Sequence, residues 1–328
     1  MKIFAYCLRE FDEKEFFDTI CAEYGAEYSY TTAYPSPENV ELARGYDAIS
    51  ITPCDMGAHM LDLFYDAGVR YVATRSIGFD HIDLNHAGEL GMGVCHVSYA
   101  PETVADYAIM LMLMCCRNIC HILDRSAIQD YTLKGKMGKD LCDCTVGLIG
   151  TGQIGKTVIK HLSSFGCRIL SYDLYPNAEL SGMTEYVSLE ELYANCDIIT
   201  LHAPATADNH HMLNADAFRK MKDGVIIINT ARGALIDTDA LIDAVEAGKI
   251  GHAALDVLEH EDGLYYANRM GDSITNRQMA ILRSFPNVIL TPHTAFYTRK
   301  VVYDMAYKTI KGIHDMMNDV ENPLVLVR

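Results

Sequence analysis

The sequence is poor in positive charge. Its 328 residues include 27 Lys and Arg against 44 Asp and Glu, so the formal net charge at pH 7 is −17. Nucleic acids and anionic membrane surfaces both recruit proteins through a positively charged face. We therefore expect neither a nucleic acid nor a membrane as a partner of this chain.

Long apolar runs are also missing. The longest run, residues 108–116, has nine residues, whereas a helix that spans a bilayer needs about 20. The opening residues, MKIFAYCLRE, do not show the basic-then-apolar pattern of a secretory signal peptide. We expect a soluble, cytoplasmic protein.

Metal-binding patterns are absent as well. None of the eleven cysteines belongs to a C-x-x-C pair, so reduced thiols of a cytosolic protein are the expected state. His210 and His211 are adjacent, but no carboxylate or Cys stands beside them at the spacing of a helical zinc motif. We predict no metal site.

Residues 145–173 have the pattern of a nucleotide-binding unit. An apolar run, 146–149, meets the turn GTGQIG, whose glycines are Gly150, Gly152 and Gly155. A helical apolar pattern follows, and a second apolar run ends at Asp173. Strand, glycine turn, helix, strand and acid follow one another at the distances of a dinucleotide-binding βαβ unit.

Each part of this unit has a chemical role. Gly150 allows a tight turn, Gly152 lets a pyrophosphate approach the backbone, and Gly155 lets the helix pack on the sheet. The helix N-terminus offers N–H groups and a positive dipole end to the phosphates. Asp173 is placed to accept both ribose hydroxyls, and its charge would repel a 2′-phosphate. The pattern therefore predicts NAD rather than NADP as the cofactor.

The rest of the chain alternates short apolar runs with helical patterns, which is typical of parallel sheets covered by helices on both faces. Before the glycine turn we predict strands over residues 3–7, 48–51, 71–74 and 93–96, with helices over 14–24, 58–67 and 85–90. After it we predict strands over residues 197–201, 225–229, 253–257 and 288–290. The predicted fold class is α/β, with doubly wound parallel sheets.

A chain of 328 residues is long enough for two domains. Residues 100–298 contain the glycine turn and form the predicted Rossmann NAD-binding domain. Residues 1–99 have no such turn and form, with 299–328, a predicted discontinuous substrate domain of flavodoxin-like type. Residues 101–120 are apolar almost all round a helix, so we predict one long buried helix there.

Three chemically suited residues each follow a different strand of the predicted NAD-binding domain: Arg232, Glu261 and His293. Reduction of a 2-oxo acid needs a cation for the carboxylate, a proton donor, and a group that keeps the donor protonated. Arg offers a fixed fork, His titrates near neutrality, and a nearby Glu stabilises the protonated ring. Residue type alone is also compatible with non-catalytic roles, namely a surface Arg, a helix-capping Glu and a structural His.

Motifs along nearly the whole chain resemble those of one family. They are KIFAYCLRE, TRSIGFDHIDL, VSYAPETVADYA, VGLIGTGQIGK, INTARGALIDTDAL, ALDVLE and NVILTPHTAFYT. The chain is similar to the NAD-dependent D-2-hydroxyacid dehydrogenases, and most similar to their D-lactate dehydrogenase branch, which includes enzymes associated with vancomycin resistance. The resemblance implies a homodimer that uses NADH to reduce a small 2-oxo acid, such as pyruvate or a longer aliphatic acid, to the D-2-hydroxy acid.

The resemblance also implies roles for single residues. His293 is the implied proton donor, Glu261 its partner and Arg232 a substrate-binding cation. The implied substrate contacts are the backbone amides of Ile77 and Gly78, and Tyr99. Beside the three glycines, the implied cofactor contacts are Gln153, Ile154, Asp173, Ala203, Pro204, Asn209, Thr230, Ala231 and Asp256. Many relatives have Gly at the position of His260, so the loop before Glu261 departs from the family pattern.

Substrate size is expected to depend on the end of the second substrate-domain strand. Pyruvate-preferring relatives have a bulky Tyr there, and Ile51 stands at or next to the matching position. We therefore expect space for 2-oxo acids larger than pyruvate, unless Phe79 and Phe296 refill it.

A binding protein is the alternative to an enzyme. Transcriptional corepressors that sense NAD(H) resemble the same family and keep the same Arg, Glu and His. Loss of NADH absorbance in the presence of 2-oxo acids separates the two functions.

Overall fold

The computed structural model describes residues 1–261 and 263–328, and the chain divides into two units. The first unit consists of Met1–Ala100 and Tyr297–Arg328, and the second of Pro101–Phe296. The sequence predicted divisions after residues 99 and 298. The assignment of substrate to the first unit stays a prediction.

In the described residues the strands are β1 Lys2–Ala5, β2 Glu27–Tyr30, β3 Ala48–Ile51, β4 Tyr71–Thr74, β5 Gly93–Cys95, β6 Thr145–Ile149, β7 Arg168–Tyr172, β8 Glu185–Tyr186, β9 Ile198–Leu201, β10 Val225–Asn229, β11 Ile250–Leu255, β12 Val288–Leu290 and β13 Val325–Val327. The α-helices are α1 Lys14–Glu23, α2 Ala58–Asp66, α3 Leu84–Leu90, α4 Glu102–Cys116, α5 Ile119–Ala127, α6 Gln153–Leu162, α7 Leu189–Asn195, α8 Ala215–Lys220, α9 Thr238–Glu246, α10 Arg277–Leu282 and α11 Arg299–Met317.

The first unit is built on a six-stranded sheet of order β13-β5-β4-β3-β1-β2. Its strands pair in parallel, apart from β13, which runs antiparallel to β5. Read from its other edge the order is 2-1-3-4-5, the flavodoxin-like arrangement. Separate apolar clusters contain buried residues of α2 and of α11, as expected for a parallel sheet covered on both faces.

The second unit has a seven-stranded parallel sheet of order β12-β11-β10-β9-β6-β7-β8. Counted from β6, this is the doubly wound order 3-2-1-4-5-6 with one strand added. All five residues of β10, VIIIN, are buried, which explains why a continuous apolar run forms a central strand here. The predicted α/β fold with two doubly wound parallel sheets is confirmed.

One long helix over residues 101–120 was a wrong prediction. Helix α4 ends at Cys116 and α5 begins at Ile119, with an angle of 62° between them. Asn118 separates them in a left-handed conformation with φ 52°, and its side-chain amide donates to the carbonyl of Met137 at 2.7 Å. A left-handed residue interrupts the helical hydrogen bonds, and apolar periodicity carries no sign of it.

Two further strands, β2 and β8, are absent from the sequence-based prediction. Both lie at an edge of their sheet and neither contains a fully buried residue, so they lack the apolar run by which the other strands were predicted. No single helix among the described residues is long and apolar enough to cross a membrane. Helices α4 and α5 pass that test only as a bent pair, by length and composition.

Candidate active site

The glycine turn joins β6 to α6, and its three glycines serve different purposes. Gly150 has φ 96°, and a side chain there would lie 2.7 Å from the backbone of residues 202–203. A Cβ on Gly155 would collide with the carbonyl oxygen of Gly150. Gly152 borders open space and is the N-cap residue directly before α6, where no side chain caps the helix. The turn therefore presents uncapped N–H groups of Gln153 and the next residue to an anion.

Asp173 follows β7 and is bonded to the glycine turn itself. Its Oδ2 accepts from the amide and hydroxyl of Thr151 at 2.6 and 3.0 Å, and its Oδ1 accepts from the amide of Tyr175 at 2.9 Å. The carboxylate thus stands at the edge where the turn would hold a dinucleotide. It stabilises the turn as well as offering oxygens to a ribose.

The loop after β9 begins at His202, whose ring nitrogen Nε2 lies 2.9 Å from the hydroxyl of Thr200. Burial lowers the pKa of His202 to about 4, so the ring is neutral at pH 7. Further along the loop, Asn209 accepts from the amide of Thr206 at 2.8 Å and donates to the carbonyl of Pro204 at 2.7 Å. Asn209 therefore shapes the loop that was predicted to flank the adenosine.

The turn after β10 carries Arg232 and is held by the buried Asn229. The Asn229 side chain accepts from the amide of Ala231 at 3.0 Å and donates to the carbonyl of Arg232 at 2.9 Å. The Arg232 guanidinium donates to the carbonyl of Ala231 at 2.8 Å. Next to them, the buried hydroxyl of Thr230 has no hydrogen-bond partner among the described residues. A polar cofactor group would satisfy it.

Asp256 follows β11 and organises the turn that carries His293. Its carboxylate accepts from the Thr291 hydroxyl at 2.5 Å and from the amides of Thr294 and Ala295 at 2.9 Å each. Its own carbonyl accepts from the amide of His293 at 2.8 Å. The predicted contact of Asp256 with the nicotinamide carboxamide stays a prediction. Its hydrogen bonds to the turn of His293 are observed.

His293 and Glu261 form a hydrogen-bonded pair. Nδ1 of His293 lies 2.5 Å from Oε1 of Glu261, and the other carboxylate oxygen accepts from the amide of Leu258 at 2.9 Å. His293 adopts a left-handed backbone with φ 51°, and its carbonyl accepts from the hydroxyl of Tyr266 at 2.8 Å. With Nδ1 directed at Glu261, Nε2 is the nitrogen that can donate to a substrate.

Arg232, Glu261 and His293 follow three neighbouring strands, β10, β11 and β12. The carboxyl ends of parallel strands share one edge of the sheet, where open α/β sheets bind ligands. The second unit therefore brings a cation and a His–Glu pair to the same edge as the glycine turn.

In the first unit, Ile77 and Gly78 follow β4 in a tightly held loop. The carbonyl of Ile77 lies 2.9 Å from Nδ1 of His96, and that of Gly78 accepts from the Ser76 hydroxyl at 2.6 Å. Across the described part of the chain, no hydrogen bond engages the amide N–H of either residue. Two free amides beside one another form a suitable cradle for a carboxylate.

Behind this loop lies the buried Arg75, with only 1 % of its surface exposed. Its guanidinium donates to Oε1 of the buried Glu13 at 3.1 Å, to the hydroxyl of Ser50 at 2.7 Å, and to the carbonyls of Tyr6 and Cys7 at 2.8 and 3.1 Å. Arg75 is not among the residues predicted from the sequence, although a charged residue directly after an apolar strand is a usable signal. The same applies to Asn229, the polar last residue of β10.

Tyr99 and Ile51 were also predicted to lie near the substrate. Tyr99 lies after β5, in the segment that ends the first part of the first unit, and is half-buried. Ile51, the last residue of β3, is fully buried in the apolar core of the first unit. The expectation that it leaves space beside a substrate stays a prediction. Thr52 follows it, and its buried hydroxyl has no regular hydrogen bond among the described residues.

Comparison with known proteins agrees with these features. Residues 109–295 match the family model of the D-isomer specific 2-hydroxyacid dehydrogenase NAD-binding domain. The chain is 42 % identical to an aromatic 2-oxoacid reductase of Clostridium sporogenes over 96 % of each chain. It is 40 % identical to a D-lactate dehydrogenase of Lactiplantibacillus plantarum over 95 % of each.

A solved structure is similar over its full length. The structure of a D-2-hydroxyisocaproate dehydrogenase matches with a TM-score of 0.89 and 32 % identity, covering 100 % of both chains. The family match and the glycine turn agree in identifying NAD as the cofactor. This chain therefore belongs to the D-isomer specific 2-hydroxyacid dehydrogenases and is an NAD-dependent enzyme of that family.

Proposed function

We propose that the enzyme reduces pyruvate and longer aliphatic 2-oxo acids to the corresponding D-2-hydroxy acids with NADH, and catalyses the reverse reaction. The observation that carries this proposal is the 2.5 Å contact between His293 and Glu261. It directs Nε2 of the imidazole away from the carboxylate and stabilises the ring when it is protonated. A proton donor of this kind is what reduction of a carbonyl requires.

When bound at the glycine turn, NADH would provide the hydride for C2 of the 2-oxo acid. Nε2 of His293 donates its proton to the carbonyl oxygen as negative charge develops there, which gives the 2-hydroxy acid and leaves a neutral imidazole. Glu261 keeps the ring in the orientation that exposes Nε2. Proton uptake from solvent then restores the imidazolium.

Arg232 in the second unit is the proposed substrate-binding cation. In the first unit, the amides of Ile77 and Gly78 are the proposed cradle for a carboxylate. A guanidinium matches a carboxylate in two parallel hydrogen bonds. The two amides have no acceptor within the described residues, so a bound carboxylate would satisfy them without displacing a protein group. These assignments fix the acid end of the substrate and leave its side chain to decide specificity.

A panel of 2-oxo acids tests the proposal. We expect oxidation of NADH with pyruvate, 2-oxobutyrate and 2-oxoisocaproate, with products of D configuration by chiral chromatography. Oxidation with none of these acids, or an L product, would overturn it.

Aromatic 2-oxo acids are a second candidate substrate class, which the Clostridium sporogenes relative favours. Phenylpyruvate therefore belongs in the same panel. A kcat/KM for phenylpyruvate at least tenfold above that for every aliphatic acid would move the assignment to aromatic substrates. NADH binding without any turnover would support the NAD(H)-sensing binding protein instead.

We further propose that the enzyme is a homodimer. In the second unit, side chains between residues 123 and 137 are 61 % to 91 % exposed although they are large and apolar: Leu123, Ile128, Tyr131, Leu133 and Met137. Such a patch is characteristic of an interaction surface, and a second copy of the chain is the occupant we propose. Light scattering should give twice the chain mass, and the mass of one chain after Leu133→Asp with Met137→Asp. Phe11→Ser, at an exposed aromatic of the first unit, is the control.

The proposed location is the cytoplasm. All eleven cysteines are free thiols in the structure, as in a reducing compartment. Fractionation of the source cells, followed by detection of the protein with an antibody, tests this location.

A further inference from the structure

Two histidines and a glutamate meet in the second unit, apart from the His293–Glu261 pair. His210 and His211 lie in the loop after β9, and Glu259 lies after β11. One ligand atom from each of the three lies within 4.8 Å of the other two. Nε2 of His211 is 2.6 Å from Oε1 of Glu259, and the His210 ring is stacked on that of His211 with centroids 3.8 Å apart.

The carboxylate of Glu259 is oriented by Thr238. Its Oε2 accepts from the amide and the hydroxyl of Thr238 at 3.1 and 2.7 Å. The carboxylate is therefore already oriented, with Oε1 directed at His211.

His211 is also fixed by its backbone, because its amide donates to the carbonyl of Ala234 at 2.9 Å. His210 is exposed and is attached to this fixed neighbour. Its ring can therefore turn out of the stack without disturbing packed side chains. The three candidate ligands are therefore the oriented carboxylate of Glu259, the backbone-anchored ring of His211 and the adjustable ring of His210.

We propose that His210, His211 and Glu259 bind a divalent transition-metal ion, with Zn²⁺ as the reference ion. Imidazole nitrogens and a carboxylate oxygen are ligands that Zn²⁺ takes at about 2.0–2.2 Å. The ion takes the place of the hydrogen bond between His211 and Glu259, and water fills its remaining position. Thr238 is the outer partner that orients the carboxylate, as such partners commonly do in metal sites.

The sequence predicted no metal here because it shows only the two histidines. The carboxylate stands 48 positions further along the chain and reaches them because β9 and β11 direct their following loops to the same edge of the sheet. The ion would link the loop of His210 to the segment that leads into Glu261. Metal binding should therefore stabilise the folded second unit.

The test is Zn²⁺ binding to the full-length, tag-free enzyme by isothermal titration calorimetry at pH 7.5. We expect one site per chain and a rise in Tm on binding. His210→Ala should weaken this site at least tenfold. His161→Ala is the matched control, since His161 also lies beside a carboxylate, that of Asp106 at 2.8 Å, but belongs to no group of three such ligands among the described residues. It should leave the site unchanged.

Two further variants separate this site from other sources of binding. Thr238→Val keeps the volume of the side chain but removes one hydrogen bond to Glu259, and should weaken Zn²⁺ about 10–100-fold, the usual effect of losing an outer partner. His293→Ala should leave the stoichiometry at one. Absence of stoichiometric binding, equal loss in His210→Ala and His161→Ala, or loss in His293→Ala alone would overturn the proposal. Far-UV circular dichroism verifies that each variant is folded.

Discussion

Nδ1 of His293 lies 2.5 Å from Oε1 of Glu261, although the two residues are 32 positions apart in the chain. Each is held from its own side: Asp256 binds the turn of His293, and the amide of Leu258 binds the second oxygen of Glu261. The pair is therefore oriented before any substrate arrives. Replacing His293 and replacing Glu261 should therefore affect the activity in different, measurable ways.

For His293→Ala we expect kcat for 2-oxo acid reduction to fall about 10²–10⁴-fold, the usual contribution of a positioned proton donor. NADH binding, measured by fluorescence titration, should be largely retained because the glycine turn and Asp173 are untouched. A loss of activity smaller than tenfold would remove His293 from the role of proton donor.

For Glu261→Gln we expect kcat/KM for 2-oxo acid reduction to fall, since His293 loses the carboxylate that orients its ring with Nε2 towards the substrate. The Gln side chain still fits beside His293, so the structure should be kept. The measurement is kcat/KM for the preferred 2-oxo acid from pH 5 to pH 9. A profile that coincides with that of the wild type would exclude Glu261 as the partner of His293.

For cofactor choice, the wild type should prefer NADH to NADPH, and Asp173→Ala should reduce that preference by removing the charge that repels a 2′-phosphate. The variant should also have a lower Tm, because three hydrogen bonds to Thr151 and Tyr175 are lost. Asp173→Asn is the control that keeps part of this bonding without the charge. Equal use of both cofactors by the wild type would show that the ribose assignment is wrong.

Removing only one charge of the buried Arg75–Glu13 ion pair should lower the stability of the folded enzyme. Arg75→Met leaves the buried Glu13 carboxylate with only the partly exposed guanidinium of Arg9, 3.3 Å from its Oε1. The loss of stability should therefore be smaller than about 3–5 kcal/mol, the loss expected for a fully unpaired buried charge. Adding Glu13→Leu should restore part of this loss, because both charges are then absent. Denaturation in urea, followed by circular dichroism, gives the comparison. If the double variant were less stable than Arg75→Met, the pair would not account for the effect.

His202 should make the enzyme less stable in mild acid. Its folded-state pKa is lowered to about 4 by burial, whereas an unfolded His titrates near about 6.5. Between these values the unfolded chain binds a proton that the folded chain does not, so stability is present above the higher pKa and falls as pH decreases towards the lower one. His202→Asn should flatten the dependence of Tm on pH between pH 6.5 and pH 4. If the dependence of Tm on pH were the same in His202→Asn as in the wild type, His202 would not be the group responsible for the acid sensitivity.

Much of the fold was accessible from the sequence. The glycine turn, the apolar strands such as VIIIN and the acid after β7 are local patterns, and their spacing follows from the geometry of one βαβ unit. The same patterns indicated an NAD-dependent oxidoreductase before any contact was known. The motifs around Arg232, Glu261 and His293 similarly indicated the family to which the chain belongs.

Other features depend on contacts between distant residues, and only the tertiary structure decides them. The helix break at Asn118 arises from one left-handed residue, and the full burial of Ile51 arises from packing within its unit. The bonding of Asp256 to the His293 turn joins loops that follow different strands. Likewise, Glu259 meets His210 and His211 only because parallel strands end at one edge. Sequence periodicity reports which face of an element is buried, but not which side chains of other elements it meets there.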